Sequence, residues 1–155
     1  MRLFVDTNII LEFIEQRREY ANVRRILANV RDGLYDGIVS QGSVYTLTFL
    51  IERSLEAIDI HKPEQTVQLR HLLKSVLNLF EPFGIKRAAM LEAIDNEAFT
   101  DIEDSFQYQC ALESRCDVLL TININDYKNA DQQLIEILTP AQFVEKYLNQ
   151  EVASQ

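Results

Sequence analysis

The chain opens on a short apolar run, Arg2–Val5, that stops at the polar triplet Asp6-Thr7-Asn8; apolar residues then recur at positions 9, 10, 11, 13 and 14. That pattern predicts a strand, a sharp polar turn and a helix. A second helical pattern over 20–31 carries Tyr20, Val23, Ile26, Leu27 and Val30 and ends at Asp32-Gly33, where glycine suits the position past a helix end. Residues 35–40 read as a short strand around Ile38 and Val39, and a long apolar helix follows over 42–57. Pro63 opens a helix over 63–79, since proline fits the first turn. Residues 80–86 read as an edge strand, because Pro82 cannot donate to a ladder on both sides. Helices are expected over 87–97 and 101–115. Residues 118–121 then form an apolar run without alternation, as in a strand buried on both faces. A last strand falls over 134–138, and Thr139-Pro140 caps and opens a final helix over 140–148.

Strands separated by helices imply an α/β fold, a three-layer α/β/α sandwich around a central, mostly parallel sheet. One domain over 1–150 with a short tail at 151–155 suits the length, and no repeat or Gly/Ser-rich linker marks a boundary. Ligands of such sheets bind beyond the carboxyl ends of the strands. Asp6 lies past the first strand, Asn123 and Asp126 past the fourth, and Asp101 and Asp104 open the helix that feeds the fourth. If strands one and four are parallel neighbours, these groups meet at one edge of the sheet.

Composition adds few constraints. With 47% hydrophobic and 25% charged residues the chain is globular. An acid arrives too early at the N-terminus for a signal-peptide core, and no apolar run reaches membrane-span length, so a cytoplasmic protein without membrane contact is expected. Cys110 and Cys116 lack a CxxC pair and nearby histidines, which argues against zinc; Cys110 reads as a small buried thiol. A net charge of −9 opposes bulk attraction to nucleic acid, so such binding would need metal ions or local cations: Arg17-Arg18, Arg24-Arg25, Arg53, Lys86-Arg87 or Lys128, with Tyr45 and Tyr127 as stacking groups.

The chemistry concentrates at 100–127. Asp101, Glu103 and Asp104 crowd three carboxylates into four residues, and like charges at 4 Å repel by about 4 kcal/mol at an effective dielectric near 20. Either a helix N-terminus, with Thr100 and Glu103 as a capping box, or a divalent metal would compensate them. Capping accounts for Thr100 and Glu103, which leaves Glu103 outside the expected site. Asp6 alone reads equally as a helix N-cap, and Asp126 as a turn residue.

FVDTNIILE at the start, DIEDSFQYQCA in the middle and DVLLTININDY near the end, in that order, resemble the PIN-domain family, the fold of VapC-type toxin ribonucleases. The resemblance spans essentially the whole chain. It implies a Mg²⁺- or Mn²⁺-dependent endoribonuclease acting on single-stranded RNA, the toxin of a toxin–antitoxin pair; separately, the apolar face of the 42–57 helix, with Leu47, Phe49, Leu50 and Ile51, is broader than one buried stripe needs and is expected to form a homodimer contact or receive an antitoxin protein. By the same resemblance Asp6, Asp104 and Asp126 are catalytic, and Asp6, Asp101, Asp104, Asn123 and Asp126 are metal ligands. Thr7, Asn8, Thr46 and Thr121 would support them. The chain departs from the family at Thr46, where many members carry a Glu, and at Ile122 and Asn123, where the related branch often has Arg and a further acid. These departures motivate a second reading, a PIN-like binding or scaffold module that does not cleave. An acid reaching the cleft from elsewhere, such as Glu12 or Glu52, would favour the enzyme.

Overall fold

A computed structural model describes residues 1–152. Five strands, β1 (Arg2–Val5), β2 (Asp36–Ser40), β3 (Phe80–Phe83), β4 (Val118–Leu120) and β5 (Glu136–Leu138), form one sheet in the order β3-β2-β1-β4-β5. Every pairing is parallel. The expected sandwich is therefore present, and β1 and β4 are direct neighbours, with Val5 opposite Leu120.

Side-chain alternation along the buried strands builds two cores. Leu3, Val5, Val39, Val118 and Leu120 face a cluster with α1 (Thr7–Ile14), α2 (Tyr20–Arg31), α3 (Gln41–Ala57) and α4 (Glu64–Leu79). Phe4, Ile38, Leu119 and Ile137 face the other cluster, with Phe99, Tyr108, Ala111 and Tyr127. That second layer holds α5 (Arg87–Asp95) and α6 (Ile102–Glu113). The unalternating run at β4 is thus explained: both of its faces are covered.

Local chemistry sets most element ends. Gly33 adopts φ 77 just past α2, a backbone state that costs glycine nothing. Thr139 and Gln142 close a reciprocal capping box at the start of α7 (Pro140–Phe143). β3 is an edge strand, as Pro82 requires, though it stops at Phe83. α1 begins at Thr7, directly after Asp6, without a longer turn. The final helix is not uniform: α7 passes through a π-helical turn, Val144–Leu148, into α8 (Asn149–Val152). Of the tail expected at 151–155, the first two residues continue α8 and 153–155 lie outside the described residues.

Candidate functional site

The carboxyl ends of β1 and β4 carry Asp6 and Thr121 side by side because the ladder continues one residue beyond each strand. The Asp6 amide donates to the Leu120 carbonyl at 3.0 Å, and the Thr121 amide donates to Leu138 at 3.1 Å. With both backbones held, the Thr121 hydroxyl donates to Asp6 Oδ2 at 2.9 Å and accepts from the Asn123 amide at 3.1 Å. Asp6 stands at the N-cap position of α1, yet its side chain makes no capping hydrogen bond. The residue is only 4% exposed. Burial pushes Asp6 from its ordinary 3.8 up to about 6, against the pull of the Thr121 hydroxyl and the nearby Thr7 and Asn8 amides.

α6 delivers the second acid. Asp101 is its N-cap, accepting from the Glu103 amide at 2.8 Å; the helix starts one residue later than a Thr100 cap would require, so the expected Thr100–Glu103 capping box is replaced by an Asp101 cap. Deeper in the helix, the Ser105 hydroxyl donates to the Ala93 carbonyl at 2.6 Å, and the Tyr108 hydroxyl donates to the Asp131 carbonyl at 2.8 Å. These buried bonds fix the rotation of α6 and leave Asp104, half-buried, among the acids. Desolvation first, then the charges of Asp6, Asp101, Asp126 and Glu103, push Asp104 up to about 7.

The tail of β4 closes the group. Asn123 precedes a 3₁₀ turn, Ile124–Tyr127, whose Asp126 is exposed and adds to the field on Asp104. Tyr127, at the end of that turn, is completely buried against Phe99, so it cannot stack an RNA base as expected; its aromatic bulk fills the core. Its hydroxyl has no hydrogen-bond partner among the described residues, and burial together with the charges of Asp6, Asp104, Asp126 and Asp101 drives its pKa far upward.

The remaining expected residues sort by position. The Thr7 hydroxyl donates to Ser43 Oγ at 2.7 Å, which ties α1 to α3, and Asn8 lies half-buried on the first turn of α1. Thr46 is half-buried on α3 and lines a cavity that Glu103 shares. Neither acid considered as a substitute for it joins the cluster by the contacts present. Glu12 is buried and accepts from the Glu19 amide at 2.8 Å, while Glu52 lies nearly two turns further along α3. The residue that sequence reasoning set aside is Glu103: its charge acts on both Asp6 and Asp104. It was set aside because a Thr100 capping box accounted for it; with Asp101 as the cap, Glu103 instead lines the cavity that Thr46 shares.

Among the described residues, none of these five acids enters a salt bridge, and no three His, Cys, Asp or Glu side chains stand close enough to hold a metal ion by themselves. The arrangement offers hard oxygen donors, repelling one another, around the Thr121-held Asp6 carboxylate and the half-buried Asp104. Cys110 takes no part: its thiol donates to the Phe83 carbonyl at 3.3 Å, and burial pushes it up to about 12.

A parallel sheet with acids gathered past the neighbouring strands β1 and β4 defines an α/β protein with an acidic cleft at the sheet's carboxyl edge. The PIN domain pattern matches residues 2–125, so the chain belongs to the PIN-domain family. Its fold is also similar to a chain of the crystal structure of VapBC2 from Rickettsia felis bound to a DNA fragment from their promoter. The TM-score is 0.66 at 14% identity, over 90% of this chain and 98% of that one. No curated protein matches.

Proposed function

We propose that the protein is a divalent-metal-dependent ribonuclease that hydrolyses phosphodiester bonds of single-stranded RNA, as the toxin of a toxin–antitoxin pair. The convergence of Asp6 and Asp104 supports it: two carboxylates from separate elements, both raised in pKa by burial and by neighbouring acids, without a cationic side chain to relieve them. Mg²⁺ or Mn²⁺ fits this donor set, because such ions are commonly held by one or two carboxylates, with water and substrate phosphate completing the shell. Asp6 and Asp104 would hold it, with Asp101, Asn123 and Asp126 at the rim. When bound, the ion supplies charge neutralisation and polarisation of the scissile phosphate. Thr121 orients the Asp6 carboxylate, and the 3₁₀ turn presents Asp126 beside the cleft.

Partners follow from the same reading. Exposed Phe49 on α3, and Leu91 and Ile94 on α5, provide apolar surface for a homodimer or an antitoxin segment. Similarity to the VapBC2 structure is consistent with the antitoxin. Among the described residues no helix is long and apolar enough to cross a membrane, in keeping with the cytoplasmic location proposed.

The alternative, a non-cleaving PIN-like binding module, draws on Thr46 and on the absence, among the described residues, of a ready three-carboxylate group. A Mn²⁺ and Mg²⁺ titration of wild type, Asp6→Asn and Asp104→Asn separates them, read by melting temperature and by cleavage of single-stranded RNA. The ribonuclease reading expects metal to stabilise the wild type by about 2.7 kcal/mol at a hundredfold excess over Kd, with the response and cleavage lost in both variants. An undiminished metal response in the variants would place the ion elsewhere. A wild type that binds metal yet cleaves no RNA would favour the binding module.

A further inference from the structure

The two acids that converge at the cleft arrive on separate layers. Asp6 immediately precedes α1, which shares its core cluster with α3, whereas Asp104 sits on α6 in the other layer. The Ser105 and Tyr108 bonds run to the Ala93 carbonyl of α5 and to the Asp131 carbonyl, so they hold α6 within its own layer. Gln107 reaches across. Its Nε2 donates to Ser43 Oγ on α3 at 2.9 Å, and the same oxygen accepts from the Thr7 hydroxyl at 2.7 Å. Gln107 follows Asp104 by three positions, on one face of α6, and Thr7 follows Asp6 directly. Three side chains, each at most 4% exposed, therefore join the residue beside one acid to the helix face that carries the other.

The Gln107 amide is a poor choice for stability alone. Its Oε1 is buried and has no hydrogen-bond partner among the described residues, and an unmet buried acceptor destabilises the fold. A methionine would fill similar space without that acceptor, and Ser43 would still receive the Thr7 hydroxyl. What the amide adds over an apolar side chain is the bond between layers. That bond has a task, because the charge of Asp6 acts on Asp104 and the two carboxylates repel. A tie between their layers opposes the repulsion.

We propose that Gln107 is a positioning residue: through Ser43 and Thr7 it holds Asp104 at the separation from Asp6 that a shared divalent ion requires. The proposal rests on the metal-dependent reading of the acid cluster.

Calorimetric Mn²⁺ titration, with thermal melts of the metal-free protein, tests it. Gln107→Met should melt at or above the wild-type temperature, because the unpaired Oε1 is gone. It should nevertheless bind Mn²⁺ about tenfold more weakly, the lower end for groups that act on a metal site through the neighbours of its ligands. Thr7→Val cuts the chain at its other end and gives the same test where Gln107→Met does not fold. The double variant should bind Mn²⁺ no more weakly than the weaker single one, since both act through Ser43. Cleavage of single-stranded RNA should return in each variant when Mn²⁺ is raised about tenfold, because the acids themselves are intact.

Wild-type Mn²⁺ affinity in both single variants would overturn the positioning role and leave the metal-dependent reading standing. Weaker Mn²⁺ binding only in step with a lower melting temperature would make the chain structural and overturn it too. Weakened Mn²⁺ binding at full stability, in a protein that cleaves no RNA, would support the positioning role and remove the ribonuclease. A wild type that takes no Mn²⁺ would remove the metal-dependent reading, and this inference with it.

Discussion

Asp6 and Asp104 are held in the folded protein at about 6 and about 7, against 3.8 for an ordinary aspartate. Between roughly pH 4 and pH 7 the folded chain therefore binds more protons than the unfolded one. The linkage relation then makes stability fall as pH rises through this window. We expect the metal-free protein to melt lower at pH 8 than at pH 5, and Asp104→Asn to flatten the profile and raise the pH 8 melting temperature; a pH series of thermal melts checks both. Thr121→Val tests the support of the first acid. It removes the donor that favours the charged form of Asp6, so it should cost about 1 kcal/mol and weaken Mn²⁺ binding several-fold, as read by calorimetry. At this scale the sequence carried much of the information: FVDTN and the D-x-x-D pair named the acids. Tyr127 was misjudged because a side chain's exposure depends on packing. Tyr127 was assigned to base stacking from its type, whereas Phe99 and the sheet bury it.

The element that decides the cleft is α6. Its Asp101 cap, its buried Ser105 and Tyr108 bonds and its Gln107–Ser43 bond give it one rotation. Asp101→Ala should lower stability by about 1 kcal/mol through loss of the cap, near 2–4 °C in a chain of this size. Asp101→Asn should keep the cap and the melting temperature while changing only the charge. If Asp101→Asn melts as low as Asp101→Ala, the cap is not what Asp101 contributes. The strand positions were legible because apolar runs bounded by polar turns leave few alternatives, and each observed strand falls within its expected span. Helix ends were less so. The expected Thr100 cap moved to Asp101, and the final helix takes a π-helical turn over Val144–Leu148, which no period in the sequence announces. Both depend on which backbone groups the rest of the fold leaves unpaired.

Over the whole molecule, the net charge of −9 and an acidic cleft leave little general attraction for RNA. Association should thus rest on a few local cations and the metal. If Lys86 and Arg87 are among them, alanine at either position should reduce the slope of log affinity against log salt by about 0.7 for single-stranded RNA. An unchanged slope would move the backbone contact elsewhere. The sequence by itself determined the alternation of strands and helices, the parallel sheet that such alternation requires, and the identity of the acids past β1 and β4, since these follow from local period and residue type. Only the tertiary structure decided that β1 and β4 are neighbours with Val5 opposite Leu120. It also decided that Asp101 caps while Asp104 turns inward, and that Glu103 and Gln107 line one cavity with Phe106. The physical reason is distance along the chain. Asp6 and Thr121 are 115 residues apart in sequence, and only closure of the sheet brings their hydroxyl and carboxylate within a hydrogen bond.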